Sequence, residues 1–247
     1  DMGFENSLLD GKRILITGAG RGIGRGCALA FARLGATVVA VDLSADDLAS
    51  LAEEAEGRVE TWVSDVTSEG FIERVAGLER LDGLLNNAGA NRVGPMESQG
   101  ADNLDLIIAL NIRAVYRVTQ AAIAPMKRAG GGSIVSITSQ MGHVGSPGRT
   151  LYCMSKHAIE GLSKALAVEL AEQGIRVNTV APTFVMTPMT QPMFEDKEFH
   201  DFVMSMIPMK KLAEAGDVAN ACVYLLSELS GSTTGSCLKV DGGWTAQ

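Results

Sequence analysis

Apolar segments of strand length alternate with segments of helical periodicity along almost the whole chain. The strand-like segments, several nearly continuous in apolar and small residues, are 14–16, 37–41, 58–63, 81–86, 133–138, 175–180 and 237–240. The helical segments are 23–34, 45–56, 68–78, 102–128, 151–172 and 217–227. Continuous apolar strands alternating with helices are typical of a parallel sheet that helices cover on both faces. The order predicts an α/β fold with a doubly wound parallel sheet of about seven strands.

The composition is that of one globular domain. The chain has 247 residues, of which 46% are hydrophobic and 20% charged, so we expect a single domain over residues 1–247. A formal net charge of -8 without a basic cluster argues against nucleic acid or an anionic membrane surface as a partner. No continuous apolar run reaches the roughly 18 residues of a membrane-spanning helix, and the first residues lack the pattern of a signal peptide.

The cysteines are scattered along the chain, at Cys27, Cys153, Cys222 and Cys237. They form no Cys-x-x-Cys pair, so we expect neither a disulfide framework nor a metal site. We expect the four cysteines to be small thiols of the core in a protein of the reduced cytoplasm.

A glycine-rich turn follows the first strand and opens the first helix. Residues 17–24 read Thr-Gly-Ala-Gly-Arg-Gly-Ile-Gly. Glycine permits positive φ and a close approach of the backbone to a pyrophosphate, and the helix N-terminus offers free N–H groups. The turn predicts a dinucleotide site, and an ordinary strand-to-helix loop is the alternative. The candidate contacts are Gly18, Arg21, Gly22, Ile23 and Gly24.

An acidic residue at the end of the second strand bears on the choice of dinucleotide. Asp42, followed by Leu43, would reach the adenosine ribose hydroxyls and repel a 2′-phosphate. Arg21 is a counter-signal, because a guanidinium in the first turn could pair with that phosphate. Since Asp42 occupies the place the phosphate would need, we expect NAD rather than NADP.

The ends of the third and fourth strands supply further cofactor candidates. Asp65 could accept a hydrogen bond from the adenine amino group, and Val66 could pack against its ring. Asn86-Asn87-Ala88-Gly89 ends the fourth strand, where amide side chains could tie neighbouring strand ends together beside the cofactor. Each segment alone could be an ordinary turn.

Tyr152 and Lys156 form the candidate catalytic pair. They stand at i and i+4 near the start of a predicted helix, so their side chains are neighbours on its surface. A phenol has a reference pKa of about 10, whereas a base working near neutrality needs a pKa near 7. A fixed cation favours the phenolate and lowers that pKa. A half-buried tyrosine with an incidental lysine is the alternative.

Two polar residues support the pair. Ser139 lies at the carboxyl end of the preceding strand, where its hydroxyl could polarise a substrate oxygen. Asn111 is an unfavourable residue inside a helix, between Leu110 and Ile112. It indicates either a buried structural hydrogen bond or a held water.

These motifs together resemble the short-chain dehydrogenase/reductase family, in its single-domain form of about 250 residues. The matching positions include residues 17–24, Asp65, residues 86–89, Asn111, Ser139, Tyr152, Lys156, Pro182, Thr187 and the Val-Asp-Gly-Gly stretch at 240–243. The resemblance implies a Rossmann-type fold, with Tyr152 as general acid/base and Lys156 on the nicotinamide ribose. It also implies that Ser139 orients the substrate, that Asn111 supports a proton relay, and that Pro182, Val185 and Thr187 adjoin the cofactor. Thr183 stands where the family usually has glycine.

Residues 183–208 lie where that family carries its substrate lid, and they are rich in Met, Pro and Phe. Met186, Met189, Met193 and Phe194 either line the site or pack the lid down. Polar candidates for substrate contact, besides Met189, are Asn91, Arg92, Gln140, His143 and Arg149. His143 could equally be a satisfied loop histidine.

These features predict an NAD-linked oxidoreductase acting on a secondary alcohol or ketone, such as a polyol, sugar or hydroxy acid. The lid weakly resembles those of the family's sugar-acid and polyol dehydrogenases. A 3-oxoacyl reductase activity and a non-catalytic NAD(H)-sensing module are the alternatives. Family resemblance also implies a homotetramer, or a homodimer, paired through the helices that carry Asn111 and Tyr152.

Overall fold

The computed structural model describes residues 7–187 and 190–247. Its main sheet has seven parallel strands in the order β3-β2-β1-β4-β5-β6-β9, which confirms the predicted α/β, Rossmann-type fold. The strands of this sheet are β1 (Arg13–Thr17), β2 (Thr37–Asp42), β3 (Val59–Val63), β4 (Gly83–Asn86), β5 (Gly132–Ile137), β6 (Ile175–Pro182) and β9 (Cys237–Val240). A separate parallel pair is formed by β7 (Val185–Met186) and β8 (Ala213–Glu214).

Helices cover both faces of the sheet because its strands carry apolar side chains on both sides. One face packs against α1 and α8, around Phe31 and Val218, and the other against α3, α5 and α6, around Phe71 and Leu170. The helices are α1 (Gly22–Arg33), α2 (Ala45–Glu54), α3 (Glu69–Ala76), α4 (Ala101–Ile107), α5 (Val115–Arg128), α6 (Thr150–Leu170), α7 (Lys197–Met206) and α8 (Ala215–Leu226).

The long helix predicted over 102–128 contains a change of winding. Residues Ile108–Ala114 form a π-helical turn between α4 and α5. The whole segment Ala101–Arg128 is long and apolar enough to cross a membrane by length and composition. In the structure it packs instead on the sheet, against α3 and α6, and a core helix of a globular fold passes the same test.

The segment expected to form the substrate lid contains a helix that its Met-, Pro- and Phe-rich composition did not predict. Residues Lys197–Met206 form α7. Asp196 caps this helix by accepting hydrogen bonds from the backbone N–H groups of Glu198 and Phe199. Phe184 anchors the region, with its ring centroid 5.4 Å from that of Phe199 and 6.0 Å from that of Trp244.

Candidate active site

A cavity of about 710 Å³ opens at the carboxyl edge of the sheet. It is lined by residues that follow β1, β2, β4, β5 and β6 and by the start of α6. The strand order reverses between β1 and β4, and doubly wound sheets bind ligands at such a switch. The lining includes these sequence-predicted residues: Gly18, Arg21, Gly22, Ile23, Asp42, Leu43, Asn87, Ala88, Gly89, Asn91, Ser139, Gln140, Arg149, Tyr152, Lys156, Pro182, Val185, Thr187 and Met193.

The glycine-rich turn has a backbone that side chains would obstruct. Gly18 has φ +66°, and a Cβ there would lie 2.9 Å from Ala88 Cα. A Cβ on Gly24 would lie 2.1 Å from the Gly18 carbonyl oxygen, so Gly24 supports the turn from outside the cavity lining. The N-cap residue of α1, Arg21, makes no side-chain cap. The free N–H groups of this helix end and the open cradle fit a dinucleotide pyrophosphate.

Carboxylates surround the far end of the turn. Asp42 accepts hydrogen bonds from the backbone N–H groups of Gly20 at 2.9 Å and Ser44 at 3.1 Å. Arg21 Nε donates to Asp47 Oδ2 at 2.5 Å, and this hydrogen bond raises the pKa of Arg21 and lowers that of Asp47. Arg21 is therefore already engaged by a carboxylate.

Amide side chains join neighbouring strand ends, as the sequence predicts. Asn87 Nδ2 donates to the carbonyl oxygens of Thr17 at 3.1 Å and Gly18 at 2.8 Å. Asn86 Nδ2 donates to the hydroxyls of Thr119 and Ser136. The Asn87 bonds hold the glycine-rich turn against the end of β4, and the Asn86 bonds tie β4 to β5 and α5.

Tyr152 and Lys156 both face the cavity from the first turns of α6. Lys156 Nζ lies 5.3 Å from the centroid of the Tyr152 ring and donates to the Ile137 carbonyl oxygen at 2.9 Å. Desolvation raises the pKa of Tyr152 to about 12, opposed by hydrogen bonding with Ser139 and by the charge of Arg149. Desolvation also lowers the pKa of Lys156 to about 8, opposed by the charge of Glu160.

The pKa of Tyr152 therefore shifts in the opposite direction to the one expected from the pair. Enclosing the phenol penalises the phenolate more than the nearby charges stabilise it. At neutral pH Tyr152 is consequently a proton donor, which is the form that the reduction of a ketone requires.

Ser139 is buried beside this tyrosine. Its hydroxyl donates to Gln140 Oε1 at 2.8 Å and accepts from the Met141 backbone N–H at 3.1 Å. These contacts hold the oxygen at the cavity wall, where it can interact with a substrate oxygen.

Asn111 lies behind the cavity lining, in the π-helical turn. Its side chain accepts from the Ala90 N–H and donates to the Ala90 carbonyl oxygen, each at 2.8 Å, and donates to Ser155 Oγ at 3.1 Å. Of the two expected roles, the structure therefore shows the structural hydrogen bond. The proton-relay role stays a prediction.

Several other predicted residues also lie outside the cavity lining. Asp65 is exposed and accepts from the Thr67 N–H at 2.8 Å and from its hydroxyl at 2.7 Å, at the turn before α3. Its adenine contact, like that of Val66, stays a prediction. Arg92 is exposed and donates to the Asn91 carbonyl oxygen. Met186 and Phe194 are also outside the lining, and Met189 falls outside the described residues.

The structure does not bring His143 to the cavity, contrary to its expected role in substrate contact. His143 Nε2 lies 3.2 Å from Cys237 Sγ and 3.3 Å from Glu160 Oε1, in a cluster beneath β9. The three ligand atoms lie within 4.8 Å of one another, so their types and spacing could hold a metal ion. Thr138 and Thr179 already donate to the Glu160 carboxylate at 2.6 and 3.0 Å.

Sequence reasoning missed about a third of the cavity wall. Most missed residues directly follow or precede predicted ones at the same strand ends. Including every residue of each turn that follows a strand would have found them. They are Ser44, Asp47, Ala90, Val93, Ile137, Thr138, Met141, Thr183, Phe184 and Thr190.

Comparisons with known proteins agree with this geometry. A family model described as enoyl-(acyl carrier protein) reductase matches residues 18–245. The 3-oxoacyl-(acyl-carrier-protein) reductase FabG of Thermotoga maritima is 39% identical over 243 residues, covering 95% of this chain and 98% of that protein. The L-xylulose reductase of Homo sapiens is 40% identical over 241 residues, covering 97% and 98%.

A solved structure extends the likeness to three dimensions. The gluconate 5-dehydrogenase of Burkholderia cenocepacia, in complex with NADP and tartrate, superposes with a TM-score of 0.91 at 31% identity, covering 98% of each chain. The chain thus belongs to the short-chain dehydrogenase/reductase family and is an oxidoreductase that acts on CH–OH groups with NAD(P).

Proposed function

We propose that this enzyme interconverts a secondary alcohol and its ketone with NAD(H), and that the alcohol is a polyol, sugar or hydroxy acid. The observation that carries the proposal is the convergence of Ser139, Tyr152 and Lys156 with the glycine-rich turn in one cavity. A nicotinamide supplies or accepts the hydride when the dinucleotide is bound.

The proposed chemistry assigns one task to each side chain. Tyr152 donates a proton to the carbonyl oxygen in reduction and removes one from the hydroxyl in oxidation. Ser139 hydrogen-bonds the same oxygen and stabilises charge that develops on it. Lys156 would hold the nicotinamide ribose, after exchanging its bond to the Ile137 carbonyl oxygen for the ribose hydroxyls.

Relatives support the substrate class without naming one substrate. L-xylulose reductase and gluconate 5-dehydrogenase favour a hydroxylated small molecule. Because another relative is a 3-oxoacyl-(acyl-carrier-protein) reductase, 3-oxoacyl compounds are the second candidate class of substrate. We propose that residues 183–208 form the substrate lid, because Thr183, Phe184 and Met193 line the cavity from that segment.

The first experiment compares wild type with Tyr152→Phe. Absorbance at 340 nm is followed with polyols, sugar acids and 3-oxoacyl or 3-hydroxyacyl substrates. The variant is expected to lose roughly 10²- to 10⁴-fold in kcat while still binding NADH. Full turnover by the variant would contradict the mechanism. NADH binding by wild type without turnover across the panel would favour an NAD(H)-sensing module instead.

We further propose that the cofactor is NAD. Asp42 and Asp47 both line the end of the cavity where the adenosine ribose would lie, and Arg21 is paired with Asp47. A 2′-phosphate would meet these carboxylates. The NADP in the Burkholderia cenocepacia structure makes the direct test necessary.

That test is the ratio of kcat/KM for NAD to kcat/KM for NADP. Asp42→Ala is expected to lower the ratio at least about tenfold, because it removes a charge facing the phosphate. Asp46→Ala is the matched control, since it removes the same charge from an exposed residue of α2 outside the cavity lining. An unchanged ratio in Asp42→Ala would mean that another group, such as Arg21, sets the preference.

We also propose a homotetramer, or a homodimer, in the cytoplasm. Apolar side chains on the outer surface of α4, α5 and α6 support the assembly, since Leu104, Tyr116, Met154 and Val168 are all exposed. Fractionation of the source cells with an antibody to this chain would test the location.

A further inference from the structure

Arg149 lies in the cavity wall beside the reacting tyrosine. It is the N-cap residue of α6, three residues before Tyr152, and only 8% of its surface is exposed. Across residues 7–187 and 190–247 its guanidinium makes neither a hydrogen bond nor an ion pair, and burial lowers the pKa of the group. Its charge therefore has no hydrogen-bond or ion-pair partner among the described residues.

An unpaired guanidinium is unusual in such a setting, because burying a charge without a partner is costly. Arg176, which is half-buried, shows how a buried guanidinium is ordinarily accommodated, by hydrogen bonds to backbone carbonyl oxygens. Its guanidinium donates to the carbonyl oxygens of Leu225 at 2.8 Å, Ser227 at 3.1 Å and Thr233 at 3.3 Å. Arg149 has five donors and none of these bonds, and its nitrogens keep some accessible surface, so they are open to a ligand that enters the cavity.

Two further polar atoms in the same wall lack partners. Asn91 Oδ1 and Thr183 Oγ1 are buried without a hydrogen bond, and both residues line the cavity with Arg149. Gln173 and Asn220 also carry such atoms but lie away from this wall. An oxygen acceptor and a hydroxyl in the same cavity as an unpaired guanidinium suit a ligand that carries hydroxyl groups as well as an anion.

We infer that Arg149 binds a carboxylate of the substrate, so that the enzyme acts on hydroxy acids and their oxo acids, sugar acids included. The inference rests on the proposed function, because Tyr152 must act on an oxygen of the same molecule. In oxidation the C–H bond would give its electron pair as hydride to NAD, and the O–H proton would pass to the phenolate form of Tyr152. The carbon–oxygen bond becomes a carbonyl, and the carboxylate is unchanged.

Charge and shape favour a carboxylate over other anions. A carboxylate neutralises one guanidinium and matches its planar fork with two parallel hydrogen bonds. A phosphate monoester would bring a second charge. The remaining basic side chains of the lining would not meet it, because Lys156 is proposed to hold the nicotinamide ribose and Arg21 is paired with Asp47.

The kinetic test uses hydroxy acids of three to six carbons and the methyl ester of each. Wild type is expected to favour the best acid over its ester by roughly 10- to 100-fold in kcat/KM. Arg149→Met should bring the ratio near one, mainly by raising KM for the acid, and Arg149→Lys should restore part of it. Arg33→Met removes an exposed charge on α1 and should keep the wild-type ratio.

A binding test separates this inference from the proposed function. Isobutyrate, a monocarboxylate without a hydroxyl or keto group, should raise the Tm of wild type with NAD bound, whereas isobutyramide should not, and Arg149→Met should abolish the shift. Circular dichroism checks that the variant is folded. Turnover of alcohols with equal preference for acid and ester, and no isobutyrate shift, would overturn the role of Arg149 alone. An isobutyrate shift that needs Arg149, without turnover of any alcohol or ketone, would overturn the proposed function and leave the anion site standing.

Discussion

At the scale of single residues, burial controls the ionisation of the catalytic pair. Desolvation raises the pKa of Tyr152 to about 12 and lowers that of Lys156 to about 8, so burial disfavours the charged form of both groups. Glu160, one turn beyond Lys156 on α6, opposes the shift of the lysine. The negative charge of Glu160 thus favours the Lys156 ammonium and limits the lowering of its pKa. The hydroxyls of Thr138 and Thr179 hold the Glu160 carboxylate in place.

This shift predicts a pH-dependent stability. The folded pKa of Lys156, about 8, lies below its ordinary value of 10.5. Between these values the unfolded chain binds a proton that the folded chain does not, so the lysine's contribution to stability rises with pH over that window. The free energy of unfolding of wild type minus that of Lys156→Met should rise by about 2 kcal/mol from pH 8 to pH 10.

Urea denaturation at several pH values measures that difference. Lys127→Met, at an exposed position of α5, is the control and should show a flat difference over the same range. A flat difference for Lys156→Met as well would show that its ammonium is not desolvated in the folded protein.

At the scale of elements, the first strand, the turn and α1 form one unit whose packing requires glycine. Gly24 lies in the first turn of α1 against the Gly18 carbonyl oxygen, and Asn87 Nδ2 donates to that oxygen at 2.8 Å. The helix end can therefore face the cavity only while no side chain separates it from the turn.

Gly24→Ala is expected to lower the free energy of unfolding by about 1–3 kcal/mol and to weaken NADH binding, because its Cβ would overlap backbone. Urea denaturation and NADH fluorescence titration measure the two effects. Gly70→Ala is the matched control in α3, where a Cβ meets nothing within 4 Å. It should stabilise the chain by up to about 1 kcal/mol and leave binding unchanged. Equal effects of the two substitutions would contradict this account of the turn.

At the scale of the whole molecule, the structure leaves apolar side chains exposed on α5 and on α6, the helix that carries Tyr152 and Lys156. Val168 on α6 is 82% exposed and Tyr116 on α5 is 52% exposed. Large exposed apolar side chains on adjacent helices are typical of an interface between subunits. Pairing there would brace α6, on which Tyr152 and Lys156 depend.

Light scattering during size exclusion is expected to give a multiple of 26.0 kDa for wild type. Val168→Glu should shift the mass towards a smaller species, because a charge would be buried at the contact. Val63→Glu alters an equally apolar exposed residue at the end of β3 and should keep the wild-type mass. A wild-type mass of 26.0 kDa would contradict the assembly.

The sequence by itself determined the seven strands of the main sheet, the order of the helices other than α7, and the residues at the strand ends. These follow from local periodicity, and parallel strands necessarily bring their carboxyl ends to one edge. The glycine-rich turn and the Tyr152–Lys156 spacing could be predicted for the same reason, since backbone freedom and helical spacing are local properties.

Only the tertiary structure decided which polar residues are free to act. Arg92, His143 and Arg149 are equal candidates in the sequence, yet one is exposed, one is bound to Glu160 and Cys237, and one lies unpaired in the cavity wall. The direction of the Tyr152 pKa shift and the bonding of Asn111 were likewise settled by distant neighbours. Desolvation and hydrogen-bond partnership depend on residues far apart in the chain, and the fold alone brings those residues together.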